Sequence, residues 1–227
     1  MTAALPRLAW LTGVAMLAAC YEPAFEPCAV RCAHGVPCPD GMTCGPDLNC
    51  HASADEPACP PSLLTLTILK TGSGILDGFV IDDSGALDCG DRCTRTVLEG
   101  TKVTLYDDSN DGARLTAWFG VDGCAGPDPC TILVNDDLEI EAEFIRRYPV
   151  SVTFSGPGFG RVTSVPDEID CTSDVTDCVG WFDEASTVTL TALPDSIFGG
   201  WSLGACGTRP TCTFTADAPV QLDATFE

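Results

Sequence analysis

The chain has 227 residues, of which 33 are Asp or Glu and 11 are Lys or Arg, giving a formal charge of −22. A surface of that sign repels nucleic-acid phosphates and anionic lipid headgroups, so neither is expected as a partner. Hydrophobic residues make up 45% of the chain, too many for a disordered acidic tail, so a folded protein is expected.

The first segment in chain order is a targeting signal. Arg7 and the amino terminus are positive, Leu8 to Leu17 are mostly apolar, and Ala18-Ala19 are small. That order is the pattern of a secretory signal peptide, so residues 1–19 are expected to direct export and be removed. A membrane-spanning helix needs about 20 apolar residues, and Tyr21-Glu22-Pro23 ends this run too early. Leu17-Ala18-Ala19-Cys20 resembles the lipobox of bacterial lipoproteins. The resemblance implies that Cys20 is acylated, palmitate included, and becomes the new amino terminus, holding the protein to a membrane through lipid. One acyl chain holds only marginally and two or more hold stably. The alternative is an ordinary secreted chain with a chance cysteine. Tyr21 is not the Asp that commonly retains lipoproteins in the inner membrane, so the analogy favours the outer membrane of a two-membrane cell envelope. Lipid on Cys20 would leave 14 of the 15 cysteines, the even number that full pairing in an oxidising compartment requires.

Residues 20–27 read as a lipid-anchored tether. Residues 28–59 hold Cys28, Cys32, Cys38, Cys44, Cys50 and Cys59 among Pro, Gly and Asp, with Pro39-Asp40-Gly41 as a turn signal. Apolar content there is too low for a core, so disulfides must hold this module, and the sequence does not choose their connectivity. His34 and His51 flank these cysteines, but the spacing matches no usual zinc finger and exported thiols oxidise. No metal or other cofactor is expected. Residues 60–63 form a proline-marked linker.

Residues 64–146 and 147–227 repeat one another. Leu64-Thr65-Leu66-Thr67-Ile68 opens one copy and Val150-Ser151-Val152-Thr153-Phe154 the next. Leu87-Asp88-Cys89 recurs as Ile169-Asp170-Cys171, Trp118 as Trp201, and Cys124 with Cys130 as Cys206 with Cys212, all 82 or 83 residues on. Glu99-Gly100-Thr101-Lys102-Val103-Thr104-Leu105 recurs as Glu184-Ala185-Ser186-Thr187-Val188-Thr189-Leu190, 85 residues on. Within each copy apolar and polar residues alternate with period two, so half-buried strands are expected. The predicted fold is mainly β: two tandem small disulfide-stapled modules, each a mainly antiparallel sheet of about five or six strands, after a small Cys-rich module.

Strand, Thr/Ser-Gly-x-Gly, Asp-Cys with a second cysteine, Glu-Gly-Thr-x-Val-Thr-Leu, Trp, Cys-x5-Cys and a closing Ala-x-Phe together resemble the divergent internalin B-type repeat. That family consists of small β modules of bacterial surface proteins and lipoproteins. The resemblance implies a non-enzymatic spacer or adhesion role and supplies no catalytic residues. Copy two departs from it by lacking a Gly after Glu184, and copy one by the acidic loop 107–112.

Cysteine pairing within the copies is open between two patterns. Crossing Cys89 to Cys124 closes the longer loop and gains about 4 kcal/mol against about 2 for a local bridge in the chain-entropy model. Position favours the local pairs 89–93, 124–130, 171–178 and 206–212, each bracketing a polar loop.

Among possible contact residues, Trp118 and Trp201 repeat at one scaffold position and read as core. Trp181 has Thr96 as its counterpart, so the scaffold does not demand it; with Phe182 it is a candidate exposed contact for a protein or glycan partner. Asp107-Asp108-Ser109-Asn110-Asp111-Gly112 begins like a calcium loop, yet the acid expected twelfth falls on Trp118; a solvated hairpin loop is the plainer reading. The β region has no histidine to serve as a catalytic base and no phosphate loop. Carboxylate-only hydrolysis is the enzyme class that reading leaves open. The expected function is a cell-envelope spacer or binding module, with a glycan- or peptidoglycan-binding protein as the alternative.

Overall fold

The computed structural model describes residues 28–32, 36–53, 55–90, 92–174, 178–195 and 197–227. The expected signal peptide, Cys20 and the tether lie outside them. The chain divides after Pro60 into two units. All regular structure among the described residues is β, and no helix there is long and apolar enough to cross a membrane.

The first unit is held by covalent bonds. Strands β1 (Thr43–Cys44) and β2 (Cys50–His51) form a short antiparallel hairpin. Its bridges join Cys28 to Cys59, Cys32 to Cys44 and Cys38 to Cys50. Its buried residues are Cys32, Cys50 and Cys59 with Asn49 and His51; no aliphatic or aromatic hydrocarbon side chain is buried among those described. A unit this small without an apolar core depends on such staples. The Cys28–Cys59 bridge, spanning 31 residues, contributes about 4 kcal/mol in the chain-entropy model.

The second unit has apolar cores. In its first half, β3 (Leu63–Thr71) pairs antiparallel with β5 (Thr94–Leu98) and parallel with the start of β9 (Leu138–Ser155), which also pairs with β7 (Ala113–Phe119). A second sheet runs β4 (Val80–Asp82), β6 (Thr101–Asp107), β8 (Cys130–Val134). Leu66 and Ile68 from one sheet and Val80, Val103, Leu105 and Ile132 from the other share one core with Trp118, Ile140 and Phe144.

The second half uses the same pairings. The end of β9 pairs with β12 (Val179–Asp183) and runs parallel to β16 (Val220–Phe226), which pairs with β14 (Phe198–Trp201). Its other sheet is β11 (Asp170–Thr172), β10 (Gly160–Val165), β13 (Thr187–Pro194), β15 (Thr211–Thr215). Val150, Val152, Val162, Val188, Leu190, Trp201, Leu222 and Phe226 form its separate core.

Three expectations change. Each half has two sheets around a core instead of one sheet, and its first and last strands lie parallel. Parallel neighbours need a long connection, which local periodicity does not reveal. The division expected between residues 146 and 147 falls inside β9, one unbroken strand shared by both halves. The register sets Leu66 opposite Leu138 and Val150 opposite Val220, so Leu66, not Leu64, corresponds to Val150. A two-residue shift keeps every side chain on its own face, which is why the alternation alone fitted either register.

The turn after each first strand has a strict backbone requirement. Gly72 and Gly156 have φ of +85° and +86°, and a Cβ at either would lie 2.1 Å from the carbonyl oxygen of Phe144 or Phe226. Only glycine permits both the left-handed conformation and that approach.

Candidate functional site

On β12 the side chains alternate: Gly180 and Phe182 face inward, while Val179, Trp181 and Asp183 face out. Phe182 is 1% exposed and belongs to the core, so its expected role as a surface contact is corrected. Adjacent strand residues point to opposite faces, so the Trp181 and Phe182 side chains do not present one surface together. Trp181 is half-buried, on the outward face, opposite Pro149 of β9.

The register also sets Asp183 opposite Arg147, at the point where β9 passes from one half to the other. Arg114 of β7 donates from Nε to Asp183 Oδ1 at 2.9 Å, and its second nitrogen bonds Asp183 Oδ2. Arg147 donates to Glu168 Oε1 at 2.9 Å and to the Trp181 carbonyl oxygen. Its Nε lies 3.7 Å from Asp183 Oδ1. Arg146 stands 3.9 Å from Glu184. Three guanidiniums and three carboxylates therefore meet around one junction. The backbone joins the halves there too: Glu184 N–H donates to Arg146 O at 2.8 Å, and Arg147 N–H to Gly112 O at 2.8 Å. A cavity of about 270 Å³ opens beside this network, lined by Arg114, Pro166, Glu168, Trp181, Phe182, Asp183 and Ser186.

The other candidates have structural roles. Trp118 and Trp201 are 2% and 6% exposed. Their indole N–H groups donate to the Asp128 and Arg209 carbonyls at 2.9 and 3.0 Å, across the stapled loops. Each loop cysteine bonds its neighbour: Cys89 to Cys93, Cys124 to Cys130, Cys171 to Cys178 and Cys206 to Cys212. In the acidic loop, Asp107 accepts the Ser109 and Leu115 N–H groups at 2.9 Å each, and Asn110 accepts that of Gly112 at 2.8 Å. Those oxygens tie the hairpin to itself.

In the Cys-rich unit, His51 Nε2 lies 2.8 and 2.9 Å from the two Asp47 oxygens, and Nδ1 lies 3.5 Å from Glu56. Asp47 also accepts the Cys59 N–H at 2.7 Å. That backbone bond, followed by the one from His51, lowers the Asp47 pKa from 3.8 to about 2. The same carboxylate raises the pKa of His51. Asp47, His51 and Cys59 gather like metal ligands, as do Cys32, Cys38 and Cys50. Every sulfur among them is bridged, so none is the thiolate that a zinc site of this type uses.

Arg114, Arg147, Glu168 and Asp183 were not singled out by the sequence reading. One signal was available: Arg146-Arg147 is the chain's sole pair of adjacent basic residues, and it stands at the boundary between the copies. The role of Arg114 depends on pairing across 69 residues and leaves no local mark.

With this geometry established, comparison with known proteins adds a family likeness. The divergent InlB B-repeat domain matches residues 170–227, from β11 to β16. No curated protein matches the chain. Among solved structures, a minor pilin of Streptococcus agalactiae is 8% identical, with a TM-score of 0.25 over 71% of this chain and 95% of its own. A shaft pilin of Lactobacillus rhamnosus GG is 10% identical, also at 0.25, over 72% and 98%. A leucine-rich repeat protein of Bacteroides thetaiotaomicron is 12% identical at 0.20, over 74% of this chain and 26% of its own. Likenesses at that level carry no argument here.

Proposed function

We propose that the chain is a non-enzymatic lipoprotein of the bacterial cell envelope, anchored through Cys20, whose two β halves are tandem copies of the matched repeat. In this reading they space or present a binding surface outside the membrane. The observation that carries it is the cysteine pattern: all 14 described cysteines are paired in seven bridges, leaving Cys20 of the 15. Full pairing belongs to an oxidising compartment, and an odd cysteine at a lipobox belongs to acylation. The family match to residues 170–227 supports a repeat module. The recurrence of its strand pairings in residues 63–146 supports a second copy.

A spacer has to keep its shape, and β9 supports that: a hinge between the halves would break ladder bonds on a shared strand. The absence of histidine from the β unit supports a non-enzymatic role. A second reading, a glycan-binding envelope protein, is favoured by outward Trp181 beside a polar cavity.

The test is membrane fractionation and intact mass of the expressed protein beside Cys20→Ala. The expected wild-type product is residues 20–227 plus acyl groups in the membrane fraction, with attachment lost in the variant. A soluble, unacylated wild-type product would overturn the anchor.

A further inference from the structure

We propose that the cavity at the junction, walled on one side by Trp181, is a binding site for a neutral sugar ring. The proposal rests on the exported, ligand-presenting reading above and names the ligand class and the residues.

Charge narrows the ligand. Arg114 pairs with Asp183 and Arg147 with Glu168, so the charges at the cavity are balanced in a chain whose total is −22. A balanced cluster attracts neither an anion nor a cation strongly. It offers fixed donors and acceptors to a polar, uncharged molecule.

The polar groups are also pre-set. Asp183 is held by Arg114, and Glu168 by Arg147, so their orientation is established before any ligand arrives. Carboxylate oxygens with spare lone pairs and guanidinium N–H groups in fixed positions suit vicinal hydroxyls. Ser186 also lines the cavity, with its hydroxyl oxygen buried behind the wall.

Trp181 supplies the apolar wall. Trp118 and Trp201 donate their indole N–H groups to backbone carbonyls, whereas that of Trp181 has no partner among the described residues. Its flat ring and N–H edge match a sugar, which has an apolar C–H face and a polar edge. At about 270 Å³ the cavity has room for a single ring.

The test uses the full chain with disulfides intact, observed by NMR at its tryptophan indole N–H groups. It is titrated to millimolar concentration with chitotetraose, cellotetraose, maltotetraose and mannotetraose. At least one sugar is expected to shift the Trp181 signal saturably and leave Trp118 and Trp201 in place. Trp181→Thr, which restores the residue found at position 96, should weaken that sugar roughly tenfold or more, and Trp181→Phe should retain most of the affinity. No Trp181 shift with any of the four sugars overturns the proposal, as does unchanged affinity in a folded Trp181→Thr. Either failure with membrane attachment intact removes the sugar site alone. A soluble, unacylated chain removes the envelope reading instead.

Discussion

Thr96 and Leu98 stand on the outward face of β5, and Trp181 and Asp183 take the same places on β12. Behind them the inward residues, Val97 and Phe182, are both buried. The two halves thus agree at this inward position and part at the outward ones. Two of the departures, Trp181 and Asp183, stand at the junction, where Arg114 pairs with Asp183. A scaffold used twice leaves a record of which positions it needs, and what exceeds that record is the candidate for function.

The largest expected effect tests the shared core. Phe144→Ala and Phe226→Ala remove rings buried to 1% and 0% exposure and should each destabilise the β unit by about 3–5 kcal/mol in denaturant unfolding. A near-neutral result at either position would break the equivalence of the halves. Next come the staples: replacing Cys124 with Cys130, or Cys206 with Cys212, by Ala opens bridges of sequence separation 6 in both cases. Each double variant should lose about 2 kcal/mol, and a twofold disparity in thermal unfolding would show that the loops differ in role.

A smaller effect concerns one turn. Gly100 has φ of +77° and its counterpart Ala185 has φ of +61°. The left-handed conformation disfavours a Cβ by about 1 kcal/mol, so Ala185→Gly should stabilise the second half by that order and Gly100→Ala should destabilise the first. Opposite signs in calorimetry are the outcome to look for.

The smallest effect sets the Cys-rich unit apart from both halves. Asp47, lowered from 3.8 to about 2, lends stability that is present above pH 3.8 and lost as pH falls toward 2. His51, raised above 6.5, lends stability that is present below 6.5 and lost as pH rises through its folded value. Amide exchange of the Asp47–Cys59 segment should therefore be slowest between about pH 4 and 6.5, after correction for intrinsic rates. The β unit, without histidine, should show no matching loss above neutrality.

Much of the scaffold was legible because its demands are local. Period-two alternation marked the strands, and glycine marked Gly72 and Gly156, where backbone meets backbone. The linkage of the halves was not legible, since parallel pairing and a shared strand depend on contacts some 70 residues apart. One exchange shows how far chemistry can vary under a constant geometry. Asp82 and Ser164, both buried, accept N–H groups of the turns before Leu87 and Ile169. Asp82 needs the ion pair from Arg95, whereas neutral Ser164 needs none, and Gly180 stands where Arg95 would. Read singly, neither change has a reason; read together, a charge and its counter-charge were exchanged for a hydroxyl and a glycine. The site was half legible: Trp181 stood out against Thr96, but Phe182 was misread beside it because strand neighbours face opposite ways.

The most direct test of the division between scaffold and added surface is the unfolding free energy of Trp181→Thr beside Trp201→Thr, measured in one denaturant series. Removing buried Trp201 should lose about 3–5 kcal/mol, while removing outward Trp181 should change stability by less than about 1 kcal/mol. Equal losses would contradict the division, making Trp181 a packing residue that the second half needs and the first has found another way to replace.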